Sequence, residues 1–593
     1  MPNGNFDTQV AIIGSGFGGS VAAWRFAQAG HKTLVIERGQ WVTRETFEAD
    51  LDATWNPKRH RFGMNELRRR GRHIIPWLGS AVGGGSHVYA ATLKRRANFD
   101  GYPAVIQNDD MEAYFQKAED VMDATPFPDW PPYSSVRATQ LLFQAGKKLK
   151  EEYEDVEDFG PVNLGISFAP PEGVPGSKFI NKHGAEQRYS DPGEQSLLGG
   201  DIDSKNTLDK NYLFLAQKAG AEIRPMTEAD KIEPLPGGGY RIHCLVHLHS
   251  KNAWKRFLRK WMPFFGKLEV EEVSYTARRV VLSAGSIGST ELLLRNRDIH
   301  KTLSKLKGPV GQRYTTNGDF LSAIIPFRGI FVSWGGLLGT ILALIIQNYV
   351  ILIISILAYF VGLFISRKPF DPDIGPTNSD FIRFKGEDGS TQGAYLEGGR
   401  YPTPGRLLIA IYLSVFKVFR PRHYKKIIRF TNFLRKYIPP FALIARTWPV
   451  PILKMGGDKA VGTFSLDKSG KATIDYDIEA NRDFYTYLNR LAKRVAKASR
   501  SWWIPNFAFN LTKILEVPHN QGGLPMGENS TVGVVDHAGR VFGYKDLMVL
   551  DGSIIPLSTR PNPALTILAL SERAMEHILA QIQKSGDVTA DEK

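Results

Sequence analysis

Short apolar runs alternate with an amphipathic stretch at the start of the chain. Residues 9–13 hold a short apolar run (Val10–Ile13), 18–30 follow a helical period, and 32–36 hold a second one (Leu34–Ile36). That order predicts β-α-β, with Gly14-Ser15-Gly16-Phe17-Gly18-Gly19 at the first turn. Residues 278–284 carry a buried-strand pattern, and Gly285-Ser286-Ile287-Gly288 opens a helix at 289–295. Residues 220–232 and 240–246 read as strands flanking a turn at 234–239, 547–550 as another strand, and 563–580 as a long helix. The pattern predicts an α/β fold, α+β overall. Its Rossmann-like dinucleotide domain draws on residues 1–104, 201–300 and 515–583. Residues 105–200 and 301–514 are assigned to a substrate domain of β-sheet and helices, and 584–593 to a disordered polar tail.

In the glycine loop, Gly14 permits the tight turn, Gly16 lets the backbone approach a pyrophosphate, and Gly19 allows close strand–helix packing. Phe17 and Gly18 open the helix, whose free N–H groups face the phosphates. Glu37, followed by Arg38, sits where an acid binds both ribose hydroxyls, which favours an unphosphorylated adenosine ribose. A second cluster runs from Gly79 to Ser86. There Gly83, Gly84 and Gly85 let the backbone pass a flat cofactor, and Ser86 is placed to bond a phosphate or a ring edge.

Toward the C-terminus stand His519-Asn520-Gln521-Gly522-Gly523, Asp551-Gly552-Ser553 and Asn562-Pro563-Ala564. Together with GSGFGGS and ERG at the start, VGGGS, and AGSIGSTELLLRN at 284–296, they give a chain that resembles the glucose–methanol–choline (GMC) flavoprotein oxidoreductases, in the cholesterol-oxidase-like branch. The matching pieces span the chain, while its middle third matches poorly. The resemblance implies noncovalent FAD and oxidation of an alcohol by hydride transfer to flavin N5. It implies that His519 is the active-site histidine and Asn562 the asparagine that replaces a second histidine in that branch. Ala284, Gly285, Asp551 and Gly552 become cofactor contacts.

The chemistry of the residues agrees. An alcohol carbon gives up hydride only as its O–H proton leaves, so a base belongs near that oxygen, and histidine titrates in the right range. Pro563 and Ala564 start a helix whose positive end favours negative charge on the reduced ring. An acid over the substrate is also expected in this branch. Asp458 in Met455-Gly456-Gly457-Asp458 is the nearest match, read either as that base or as a solvated turn aspartate. His87 lies one position from the place where some relatives attach FAD covalently.

The longest apolar run is 329–366, broken chiefly by Gln347-Asn348. A crossing helix needs about 20 apolar residues. A single crossing would part Gly14 from His519, so a shallow or re-entrant hairpin is expected, with a buried helix pair as the alternative. The net charge of +15 favours an anionic surface as partner. No Asp or Glu occurs at 401–446, where basic residues alternate with bulky apolar ones, and 254–267 has the same character. Both read as membrane-interface helices that meet an anionic leaflet, not as nucleic-acid arms. The single cysteine, Cys244, excludes an intramolecular disulfide and a thiolate metal cluster and fits a reducing compartment. The first apolar run is the first strand, so no signal peptide is expected.

These observations point to an enzyme on the cytoplasmic face of a membrane, peripheral or hairpin-anchored. Its expected substrate is a lipophilic alcohol (sterol-like, terpenoid or long-chain), and its acceptor a quinone, another carrier or oxygen. The other readings are a non-oxidative lyase or decarboxylase of the same fold, and a lipid carrier without chemistry.

Overall fold

The computed structural model describes residues 6–44, 55–59, 61–192, 203–248, 269–326, 330–365, 375–387, 389, 393–399 and 450–584. Its first sheet is built on the strand Thr8–Ile13, which is buried on both faces and lies parallel to Thr33–Ile36 and to the end of Val270–Leu282. Glu222–Arg224 extends the parallel side beyond Thr33–Ile36. Leu547–Val549 pairs in parallel with Val280–Leu282, so a strand from late in the chain completes the sheet. The 13-residue strand Val270–Leu282 serves two neighbourhoods. Its first half pairs antiparallel with Tyr240–His247, which in turn pairs with Thr227–Pro234. Parallel strands buried on both faces read as continuous apolar runs, and for that reason the pattern was legible. The helix expected at 289–295 begins earlier, at Gly285, and runs to Asp298; Gly285 takes φ +77°, a turn into a helix that an L side chain resists. The last helix, Pro563–Lys584, also outlasts its expected end at 580, and residues 585–593 lie outside the described residues.

The second sheet has six antiparallel strands in the order Ser501–Ile504, Phe320–Pro326, Val450–Gly456, Ala394–Gly398, Asp380–Phe384 and Val156–Pro161. The amphipathic helix Arg482–Ala498 packs on it through one face, where Tyr485, Leu488, Leu491, Ala492 and Val495 are all buried.

Between two strands of this sheet the chain forms a helical hairpin, Ile330–Ile345 and Tyr349–Ile365. Gln347 turns it at φ +53°, and the Asn348 carboxamide oxygen caps the second helix by accepting from the N–H groups of Val350 and Ile351 (both 3.1 Å). The seam between the helices is made of small residues. A Cβ on Gly336 would meet the Tyr359 backbone N at 2.4 Å, one on Gly339 would meet Ser355 Oγ at 2.4 Å, and Ala343 is buried beside them. The large side chains point away from the seam: Ile345 is 72 % exposed and Val350 67 %, with Leu338, Leu344, Ile353, Leu357 and Phe360 similarly open. Among the described residues, no helix is long and apolar enough to cross a membrane. At 16 and 17 residues the two arms reach about 24–26 Å against a hydrocarbon core of about 30 Å. The basic segments expected at 254–267 and 401–446 lie outside the described residues.

Candidate active site

A long cleft between the two sheets has a cavity of about 360 Å³. Its wall starts at Glu37 and Arg38, passes Gly14, Gly16, Phe17 and Gly18, then Gly84 and Gly85, Ala284 and Gly285, Asp551 and Gly552, and ends at His519, Asn562, Pro563 and Ala564. Residues from both chain ends therefore line one space.

The glycine loop is shaped by contacts that exclude any Cβ. Gly14, at φ +98°, would place one 2.4 Å from the Ser283 carbonyl oxygen, and Gly18 would place one 1.8 Å from that of Leu550. Gly19 does not line the cleft; a Cβ there would lie 2.1 Å from the Gly14 carbonyl oxygen, so its part is strand–helix packing. The second glycine segment touches the first, since a Cβ on Gly84 would fall 2.9 Å from Gly16 Cα. Gly83 and Ser86 stand behind this wall. The Gly83 N–H donates to Ser15 Oγ (3.0 Å), while Ser86 Oγ donates to the Gly83 carbonyl (2.7 Å) and accepts from the Leu208 N–H (3.1 Å). Ser86 thus fastens the loop, where the sequence suggested a direct ligand contact.

Glu37 is buried, with Oε2 accepting from the Ser15 N–H (3.0 Å) and hydroxyl (2.7 Å), and Oε1 from the Gly39 N–H (2.9 Å). Arg38 pairs with Glu66 at 2.8 Å. Asp551 accepts from the Gly285 N–H (3.0 Å), Ser289 Oγ (2.5 Å), the Ser553 N–H (2.8 Å) and Ser553 Oγ (2.5 Å), and so ties the C-terminal segment to the helix at 285. Burial raises its pKa, with these donors working the other way.

At the far end His519 is locked by Asp319. Its Nδ1–H donates to Asp319 Oδ1 (2.7 Å) and its backbone N–H to Oδ2 (3.0 Å). That bond fixes the tautomer and leaves Nε2 as the acceptor of a residue that lines the cleft. Burial opposes a charge on His519, but the Asp319 carboxylate, its hydrogen bond and the nearby Glu397 outweigh it and raise the pKa above the usual histidine value. Asn562 lies against Glu397, with Nδ2 3.4 Å from Oε2. Glu397 is fully buried and also accepts from Asn378 Nδ2 (2.6 Å). Among the described residues its Oε1 has no partner, and neither has Asn562 Oδ1. Burial pushes Glu397 up to about 7.

Asp458 is elsewhere employed and does not line the cleft. It accepts from both hydroxyls of Thr315 and Thr316, from the Thr316 N–H (3.1 Å) and from the Tyr476 hydroxyl (2.8 Å). It is neither the base over the substrate nor a solvated turn residue, since it is 5 % exposed and its oxygens are saturated. The carboxylate beside Asn562 is Glu397, which sequence reasoning missed. The available signal was an acid inside the apolar strand Ala394–Gly398. His87 is buried with Nε2 2.7 Å from the Val82 carbonyl oxygen and does not line the cleft.

These residues fit FAD. The passage between Gly16 and Gly84 admits no side chain, an acid stands at one end, and the N-termini of the helices at Phe17, Gly285 and Pro563 converge on the space, where an anionic pyrophosphate and ring are favoured.

The chain is similar to known proteins in sequence and in fold. Residues 468–571 match the GMC oxidoreductase family model, and residues 12–65 match that of an NAD(P)-binding Rossmann-like domain. A cholesterol oxidase from Acinetobacter baumannii is 27 % identical over 98 % of this chain and 96 % of its own length. One from Mycobacterium tuberculosis is 25 % identical over 96 % of this chain and 90 % of its own. Pyridoxine 4-oxidase from Mesorbium loti shares the fold, with a TM-score of 0.55 at 14 % identity over 97 % of this chain and 99 % of that one.

Proposed function

Because the chain belongs to the GMC oxidoreductases and is an FAD-dependent alcohol oxidoreductase, we propose that its substrate is a hydrophobic alcohol drawn from a membrane, on whose cytoplasmic face the enzyme sits. The observation that carries this reading is the hairpin, whose small residues face inward and whose large aliphatic side chains face out. Such packing suits a surrounding of lipid, where close backbone approach and not exclusion of water holds helices together. A soluble chain rarely exposes so large an apolar patch. Sterol-like, terpenoid and long-chain alcohols are the substrate classes that such a location supplies.

Bound FAD supplies the hydride acceptor. The chain's own residues handle the proton. His519 Nε2 takes it from the substrate hydroxyl, and Asp319, buried against Nδ1, orients the ring and stabilises the imidazolium that forms. Asn562 holds the alcohol oxygen, and Glu397 orients its carboxamide. Asp319 and Glu397 are positioning residues.

Fractionation without detergent tests the location. The protein is expected in the membrane pellet, and wild-type protein remaining in the supernatant overturns the reading. Deleting residues 337–365 is expected to release it while flavin binding persists. Anaerobic bleaching of the flavin across a panel of hydrophobic alcohols, with product identification, tests the substrate class, and equal preference for short polar alcohols argues against it. Reoxidation of the reduced enzyme by a quinone analogue and by oxygen, followed by stopped flow, identifies the acceptor. The membrane setting favours quinone.

A further inference from the structure

We infer that a second apolar surface, formed by Trp502, Phe507 and Leu511, seats on the same anionic lipid surface as the hairpin and holds the mouth of the cleft against it. The inference rests on the membrane reading above.

Ser501–Ile504 is the edge strand of the substrate sheet and pairs with Phe320–Pro326, placing Trp502 opposite Ile325 and Ser501 opposite Pro326. The first hairpin helix starts at Ile330, a few residues past Pro326, so Trp502 stands at the hairpin's root. The short helix Phe507–Thr512 follows. Its Phe509 is buried against Phe320 and Tyr485, with ring centroids at 4.8 and 5.8 Å. Its Phe507 and Leu511, one turn apart, are 65 % and 73 % exposed, and Trp502 is 52 % exposed. A water-facing helix would carry polar residues at those two positions.

The charges around this patch fit a headgroup layer. From 484 to 515 the sequence has no Asp or Glu. Arg490 and Arg494 are paired, with Glu387 and Asp155. Lys493, Lys497, Arg500 and Lys513 make no ion pair among the described residues, and the Lys493 ammonium lies 4.7 Å from the Trp503 ring centre. Unpaired cations beside exposed aromatic and aliphatic side chains match an anionic interface, where each cation near the surface contributes about 1 kcal/mol.

The patch is also tied to the cleft. Leu515–Val517 pairs with Ile74–Pro76, and Glu516, Pro518 and His519 line the cavity. The five residues from Leu511 to Glu516 span at most about 17 Å. Both hairpin ends lead to the same place: Leu321 lies on the strand before it, and Thr377 and Asn378 lie on the segment after it, all on the cavity wall. Lipid contact through hairpin and patch together leaves the cleft opening toward the bilayer.

The test uses the FAD-loaded full chain and mixed phosphatidylcholine–phosphatidylglycerol vesicles. Cys244 is buried, so a Leu511→Cys variant takes a bimane label at one site. Brominated lipids in the vesicles are expected to quench that label. The triple variant Trp502→Ser, Phe507→Ser, Leu511→Ser is expected to bind the vesicles about tenfold more weakly while keeping its flavin spectrum, since all three side chains are exposed. Wild-type protein that pellets with vesicles, with an unquenched label and an undiminished triple variant, overturns the patch and leaves the membrane reading standing. Wild-type protein that never pellets overturns the membrane reading itself.

Discussion

Glu397 and Asp458 are buried carboxylates in one neighbourhood. Glu397 lies on the strand Ala394–Gly398, and Asp458 just beyond its partner strand Val450–Gly456. Burial raises both, Glu397 to about 7 and Asp458 to about 6. They differ in what their oxygens do. Asp458 has every donor it needs from Thr315, Thr316 and Tyr476, so it ties the turn after Val450–Gly456 to those two segments and has no capacity left for a ligand. Glu397 spends one oxygen on two asparagines that line the cleft, and the other has no partner among the described residues. A buried acid with open valence is costly to maintain and points to use, whereas a saturated one points to architecture.

The largest expected effect comes from Glu397→Gln, which keeps the shape but not the charge. We expect kcat to fall about 10²-fold with little loss of melting temperature. A fall in stability without a fall in kcat would reverse the contrast. Asp319→Asn sharpens it, because both Asp319 oxygens are engaged by His519 and the residue acts through it. A drop in kcat on the order of 10-fold to 10²-fold is expected, with a smaller change in KM. The sign of its pH effect follows from the causes. Asp319 raises the His519 pKa against burial, so without it the imidazole stays neutral to lower pH and the acid limb of the kcat profile moves down. In the wild type that limb belongs to His519 and Glu397 together, and activity rises with pH through about 7 as the Glu397 carboxylate forms. In Glu397→Gln the component near 7 disappears. The smallest effect on chemistry is expected for Asp458→Asn: kcat within about twofold, and a stability loss of about 1–3 kcal/mol by denaturant unfolding, as donors arranged for a carboxylate lose acceptors. A loss in kcat comparable to that of Glu397→Gln would place Asp458 in the chemistry after all.

The same contrast explains what the sequence could reveal. The glycine loop, Glu37 and the helix at Pro563 were legible because their spacing is local and their physics does not depend on the rest of the chain. The hairpin was legible for the same reason, down to Gln347-Asn348 at its turn. Glu397 was not, since only the tertiary fold brings it to Asn562, 165 residues away. Asp319 was hidden inside Asn317-Gly318-Asp319, which reads as a turn until His519 arrives from 200 residues away. Asp458 was misread because Gly456-Gly457-Asp458 looks like an open loop, and nothing nearby announces that Tyr476 and two threonines will close on it. Ser86 was assigned outward for want of Leu208, whose N–H donates to it from 122 residues away.

The strand Leu547–Val549 completes the first sheet by pairing beside Val280–Leu282, and Asp551 follows it directly. During synthesis, therefore, the hairpin at 330–365 leaves the ribosome long before a cofactor site exists. Its apolar exterior emerges while Val280–Leu282 still lacks the partner strand Leu547–Val549. On the membrane reading proposed above, attachment to lipid would precede cofactor loading in the life of each molecule, and the flavin would be captured by a protein already at its place of work.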